Sequence, residues 1–381
     1  MSVADVSRSV NQGESRREWS SDDGDSPGVA PERAALAALI SSDTDSATEA
    51  LNGILEGTDG SLAAGLISQG LGGLWYERLS HVDLDDETPS SLLADLKRHR
   101  LELAGLCLAQ SRAVRKLRAL FDGNDIAHAV FKGAHIRELV YDEPALRPAT
   151  DLDVLVKYDE RRWAIALLQE AGFSLRADKR NASHEVTLAK DGIYIDLHWD
   201  LMRPGRTRAP LAERFLATRR DFGSHWGPDE HATLFLMLVH PVITKYLTTP
   251  HASLVRVLDL FWWLERMPVD WDAVLDWLDR AGLRAAAWLS LEWAGRFGEL
   301  PVPGDFRRAV APGRLRQRYL RYWLDHNLPT RLLQRQWLVQ LGFTLPVHDR
   351  ASDAWRVVRQ ARRARRGAAQ ELAGLVSKDG A

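Results

Sequence analysis

The apolar positions change period twice along the chain. From Ser90 to about Phe121 they fall at Leu93, Leu96, Leu101, Leu103, Leu106, Leu108, Val114, Leu117 and Leu120, a helical spacing that predicts one long helix or two. Before that, Ala34 to about Leu55 predicts one or two short helices and Leu62 to about Leu79 a further helical stretch. The Gly57 to Gly60 cluster marks a turn, and Asp83 to Glu87 with Pro89 a connection. Past Asp122-Gly123-Asn124 the period shortens. Ile126–Phe131 and Leu152–Val156 read as strands around a helical segment at Ala134–Tyr141, and Arg161–Ala171 as a helix stopped by Gly172. Glu185–Ala189 and Ile193–Trp199 then alternate on either side of Lys190-Asp191-Gly192, a hairpin signal. After Pro204 the helical period returns, at Ala232–Leu247, Leu254–Met267 and Arg314–Gln340.

The pattern predicts an α+β chain, with a mixed-sheet core flanked by N-terminal and C-terminal helical regions. The expected divisions are a disordered tail at 1–31, a helical region at 32–122, the core at 123–203, a helical domain at 204–346 and an Arg-rich helical or disordered tail at 347–381. The last is written in Arg350, Arg356, Arg359, Arg362, Arg363, Arg365 and Arg366. It reads as a solvated helix or as a contact for an acidic partner.

Composition narrows the function classes. With 381 residues, 50 basic and 52 acidic groups, the chain is not a globally basic nucleic-acid binder. The single cysteine, Cys107, excludes an intramolecular disulfide and a multi-cysteine zinc site. Its leucine neighbours predict a buried core thiol. The N-terminus lacks an apolar signal region, and no run approaches the roughly 18 apolar residues of a membrane span. These features together lead to the expectation of a cytoplasmic protein. Trp262, Trp263, Trp271, Trp277, Trp288 and Trp293 in the helical second half read as packing residues.

Candidate chemistry concentrates between Phe131 and Trp199. Residues two apart on a strand share a face, so Asp151 and Asp153 would point together with Leu152 and Val154 buried behind them. Two adjacent carboxylates repel, and a divalent cation between them relieves that cost; hard oxygen ligands suit Mg²⁺, with Mn²⁺ the alternative. Asp196 shares a face of its own strand with Tyr194 and His198, and a neighbouring strand would complete a three-carboxylate site for phosphoryl or nucleotidyl chemistry. Asp151, Asp153 and Asp196 are thus the expected metal ligands and catalytic groups, Asp196 also being placed to accept a proton. His198 is a second candidate for the site, His184 reads as a surface or capping residue, and Trp199 as core. No Gly-x-Ser-x-Gly, HExxH or GxxxxGK[ST] pattern occurs.

In order along the chain, Lys132-Gly133, Arg147, Asp151-Leu152-Asp153 and Asp196-Leu197-His198-Trp199 resemble the nucleotidyltransferase-fold superfamily, the polymerase-β-like minimal transferases. More narrowly, they resemble an uncharacterised bacterial family within it, over roughly Ala34 to Met267. The resemblance implies that Gly133 and the helix after it approach nucleotide phosphates, and that the aspartates hold Mg²⁺. Ala134 stands where many relatives carry Ser, so Lys132 and Arg147, with His198, are the expected phosphate or substrate ligands. His240, Lys245, Arg256 and Asp259 fall where the family carries a His-containing helix and a later Asp. They read equally as cleft groups or as buried, paired polar residues.

The implied reaction is transfer of a nucleotidyl group from an NTP to a hydroxyl or phosphate of a small molecule or peptide, in settings that include specialised-metabolite biosynthesis. The rivals are transfer of another phosphate-linked group, such as a sugar, at the same site, and a catalytically silent binding protein on the same fold.

Overall fold

The computed structural model describes residues 31–40, 62–81, 90–176, 183–249, 252–360 and 363. The expectations for residues 1–30, for 41–61, for the 83–89 connection and for the end of the Arg-rich tail lie outside these residues.

The fold is mixed α+β. Ahead of the sheet come α1 (Pro31–Ile40), α2 (Leu62–Ser68), α3 (Gly72–Leu79) and the long α4 (Ser90–Asp122). The sheet is built from β1 (His128–Phe131), β2 (Leu152–Val156), β3 (Ser174–Arg176), β4 (Glu185–Lys190) and β5 (Ile193–His198), in the order β1-β2-β5-β4-β3. Helix α5 (Gly133–Val140) joins β1 to the loop before β2, and α6 (Arg161–Glu170) follows β2. Among the described residues only β2 and β5 pair in parallel; β1–β2, β4–β5 and β3–β4 are antiparallel. The crossover from β2 to β5 is what brings two non-consecutive strands side by side.

The hairpin β4–β5 turns on Asp191 and Gly192, both with positive φ (50° and 80°), the backbone that a tight two-residue hairpin turn requires. That turn fixes the register: Lys190 opposite Ile193, Thr187 opposite Asp196 and Glu185 opposite His198.

One face of the sheet packs Val130, Leu152, Val154, Ile195 and Leu197 against Leu117 and Phe121 of α4 and Ile165 and Leu168 of α6. The other face carries Phe131 and Leu155 into a larger apolar cluster with the helices that follow. These include α7 (Ala212–Ala217), α8 (Glu230–Ile243), α9 (Val255–Arg266), α10 (Trp271–Ala281) and α11 (Arg284–Ala294). The same cluster takes in Leu36, Leu66 and Trp75 from the N-terminal helices. Trp263, Trp277, Trp288 and Trp293 are all buried in it, as packing residues should be.

Several expectations are corrected. Leu101 and Leu108 sit on the solvent side of α4, and Cys107 is half-buried rather than a core thiol. The 62–79 stretch is two helices, broken where Gly70 takes a φ of 75°. Arg314–Gln340 is not continuous: its first helix stops at Asp325, and Asn327 adopts a left-handed φ of 52° ahead of Pro329. Strand β3 and a two-stranded ribbon, Arg220–Asp221 with Trp226–Gly227, were absent from the pattern because two- and three-residue strands leave no period to read.

Among the described residues, no helix is long and apolar enough to cross a membrane.

Candidate active site

The parallel pairing of β2 with β5 sets Asp153 directly opposite Asp196 and Leu155 opposite His198. Paired residues project from the same face. The apolar residues between them are held in the α4–α6 core, so Asp153, Asp196 and His198 face the helical side of the sheet. One ligand atom from each of the three lies within 4.8 Å of the others. Asp151, one residue ahead of β2 and half-buried, stands outside that trio but close enough for its charge to act on Asp153 and Asp196.

Each carboxylate is oriented by a neighbour. Lys132 Nζ donates to Asp153 Oδ1 at 2.6 Å, and His198 Nε2 to the same oxygen at 2.9 Å. Thr187 Oγ1 donates to Asp196 Oδ1 at 2.6 Å, and Glu185 Oε2 lies 3.1 Å from His198 Nδ1. Glu185 and Thr187 were not singled out in the sequence. The signal for them was the hairpin itself, because the Asp191-Gly192 turn dictates that 187 faces 196 and 185 faces 198. His184, expected at the surface, is buried beside this cluster, its ring centroid 6.0 Å from that of His198. Trp199 is buried in the core.

The electrostatics separate the carboxylates. Burial works to raise the Asp153 pKa, yet the Lys132 ammonium and the His198 hydrogen bond outweigh it and hold the group well below the usual carboxylate range. Asp196 is pushed up to about 7 by burial and then by the charges of Asp151 and Asp153, with the Thr187 hydrogen bond opposing. Asp151 is also raised, by burial and by Asp153. Two carboxylates that resist ionising beside a third that is fully ionised form a site short of positive charge.

Lys132 reaches Asp153 from a strained position. It precedes α5 with φ 55° and ψ −134°, a backbone that L-residues seldom adopt. Gly133 follows, and a Cβ there would overlap Arg147 Nη1. Ala134 is buried in the α4–α6 core, so its side chain turns away from the helical face.

Arg147 is held elsewhere. Its Nη2 and Nε donate to the two oxygens of Asp259 on α9 at 2.6 and 3.2 Å, and Tyr141 Oη donates to Asp259 at 2.7 Å. Both charged side chains are almost fully buried, 5% and 2% exposed. The guanidinium expected to meet phosphate is therefore occupied within the protein, tying the loop before β2 to α9.

The two readings of the helical residues divide between them. Asp259 is paired. Arg256, by contrast, has its Nε buried with no hydrogen-bond partner, as has His240 Nδ1. Lys245 and Arg256 form no ion pair with the described residues; burial lowers both pKa values, and Arg256 and Lys132 depress Lys245 further. Burial and these same three cations keep His240 neutral at pH 7, its pKa well below the ordinary value.

Two carboxylates and an imidazole on one strand pair, with a third carboxylate alongside, are a donor set that fits a divalent cation. A mixed sheet carrying such a set under a helical layer defines the class: a nucleotidyltransferase-like α+β protein. A family described as an uncharacterised nucleotidyltransferase matches residues 59–298, more than half of the chain, and the chain belongs to that family. No curated protein matches it.

Proposed function

We propose that the protein is a divalent-metal-dependent nucleotidyltransferase that moves a nucleotidyl group from an NTP to a hydroxyl or phosphate of a small molecule or peptide. The observation that carries the reading is the register of Asp153 against Asp196, which gathers ionisable ligands on one face while Lys132, Lys245 and Arg256 border them.

In this reading Asp151, Asp153 and Asp196 hold the cation, Mg²⁺ or Mn²⁺, with His198 beside them. When bound, the cation supplies charge neutralisation to the donor phosphates. The chain's own groups do the rest. His198 and Thr187 fix the carboxylate orientations. Lys132 exchanges its contact with Asp153 for the donor's phosphate, and Gly133 makes room for the Arg147 guanidinium beside the start of α5. Lys245 adds charge for the phosphates. Asp196 helps to hold the cation or accepts the acceptor's proton. The acceptor oxygen then forms its bond to the α-phosphorus as pyrophosphate leaves.

Calorimetric titration with each NTP, with and without Mg²⁺, tests this. The reading expects Mg²⁺-dependent binding of at least one NTP, lost in Asp151→Asn and Asp153→Asn. Binding of a nucleotide-sugar, with no response to any NTP, overturns it in favour of transfer of another phosphate-linked group.

A further inference from the structure

A pocket opens between Lys132, α5, α8 and α9. Its polar lining includes Lys132, Arg256 and His240, and its apolar lining, called the floor below, Ile136, Leu236 and Met237. The space between its lining atoms is about 420 Å³ when the open solvent at its mouth is counted in, and the enclosed part is far smaller, about 30 Å³. Two of its polar atoms lack partners: His240 Nδ1, in a residue 8% exposed, and Arg256 Nε. Buried polar atoms are ordinarily satisfied, and an orphaned pair in the lining of one pocket is a feature that a ligand would explain.

We propose that this pocket receives the acceptor, and that the acceptor carries an oxyanion, phosphate or carboxylate, on a small apolar body. Calling the ligand an acceptor rests on the transferase reading above; the pocket's preference for an apolar oxyanion does not.

The charge balance selects the oxyanion. Asp259 also lines the pocket, but Arg147 and Tyr141 already satisfy it. Lys132 is matched by Asp153 in the structure as it stands. That leaves Arg256, which has no ion-pair partner among the described residues, as the cation facing the pocket. A guanidinium offers planar, two-point donation to a carboxylate or phosphate, and neutral His240 can add one hydrogen bond through Nδ1.

The floor selects the body. Ile136, Leu236 and Met237 present hydrocarbon, and a free polyphosphate gains nothing by burial against them. Among the described residues no Phe, Tyr or Trp lines the pocket, so these offer no stacking surface on which a nucleobase would rest. The donor's phosphates are therefore left to Lys132 and Lys245, and the acceptor takes the pocket.

The test uses the full chain, free of metal and NTP, titrated calorimetrically with n-butyl phosphate, pentanoate and inorganic phosphate. The expected result is saturable one-to-one binding of butyl phosphate, pentanoate or both, tighter than inorganic phosphate; whichever binds better names the oxyanion. Arg256→Gln should weaken binding at least tenfold, with partial rescue by Arg256→Lys. Met237→Trp, which fills the floor and leaves every charge in place, should weaken it as much, so that either variant can report if the other fails to fold. No saturable binding overturns the proposal, as does inorganic phosphate binding as tightly as butyl phosphate, or affinity unmoved by Met237→Trp. A chain that binds butyl phosphate in this way but no NTP with Mg²⁺ keeps the pocket and loses the transferase reading.

Discussion

Two buried ion pairs flank α5, and they are built differently. Arg147 meets Asp259 through two nitrogens and two oxygens, with Tyr141 supplying a third donor. Lys132 meets Asp153 through one nitrogen and one oxygen, and shares that oxygen with His198. The side chains of the first pair are 5% and 2% exposed, those of the second 15% and 10%. The first pair is geometrically closed and joins the sheet domain to α9. The second is a single contact, reached from a strained backbone, to a carboxylate whose neighbours Asp151 and Asp196 are short of a positive charge. An ion pair of the first kind fastens a fold. One of the second kind can be exchanged for a better ligand.

That contrast can be broken by substitution. The largest effect is expected on turnover: Asp153→Asn should lower it by about 10²–10³-fold or more, the scale seen when a group stabilising transition-state charge is removed. Its thermal stability should change far less than its activity, and a pyrophosphate-release assay beside a melting curve checks both. On stability the order reverses. Asp259→Asn leaves the Arg147 charge buried without its partner, and should cost about 3–5 kcal/mol in denaturant unfolding. If Asp259→Asn proves as stable as the wild type, the fastening role is wrong.

Lys132→Met sharpens the comparison in a third way. It removes the ammonium that competes for Asp153, so Mn²⁺ should bind roughly tenfold more tightly, a change of about 1.4 kcal/mol, while NTP binding weakens. Weaker Mn²⁺ binding in this variant would make the lysine a support of the site rather than a stand-in for the cation.

The smallest effects are those of pH. Cation binding needs Asp196 ionised, and its pKa is raised to about 7. Affinity should therefore climb with pH up to about 7 and level off above it, by at most about tenfold per unit for one proton released. In Asp196→Asn that dependence should vanish. Fold stability should show two opposing contributions. His184 and His225 are lowered to about 4, mainly by burial, so the unfolded chain binds more protons than the folded one between pH 6.5 and 4, and stability is lost as pH falls through that window. Metal-free Asp196 acts in the other direction, since its raised pKa makes the folded state less stable as pH rises towards 7. Melting Asp196→Asn at pH 8 without metal should thus give a higher Tm than the wild type.

The sequence made the sheet side of the site legible because strands obey a period of two. Asp196 and His198 could be placed on one face of their strand from alternation alone, and Leu152 to Val156 forms a strand with the expected bounds, but Asp151, expected to point with Asp153, stands ahead of that strand and outside the Asp153, Asp196 and His198 trio. The Asp191-Gly192 turn even carried the positions of Glu185 and Thr187, although only as an implied register. What alternation could not supply was the partner of each charged group. Arg147 lies 112 residues from Asp259 along the chain, and no local pattern says that one neutralises the other. The same is true of the unpartnered atoms of His240 and Arg256, visible only once α8 and α9 are packed over α5. Leu101 and Leu108 show the complementary limit: a helix of 33 residues has more apolar positions than its neighbours can cover, so spacing overstates burial.

The most direct test of the exchangeable pair at the centre of the site is a Mn²⁺ titration followed by electron paramagnetic resonance, on the wild type, Asp153→Asn and Lys132→Met. Saturable binding in the wild type, lost with Asp153→Asn and tightened with Lys132→Met, is the predicted result. Mn²⁺ binding that is indifferent to Asp153→Asn would contradict it, and would remove the cation site on which the proposed transfer depends.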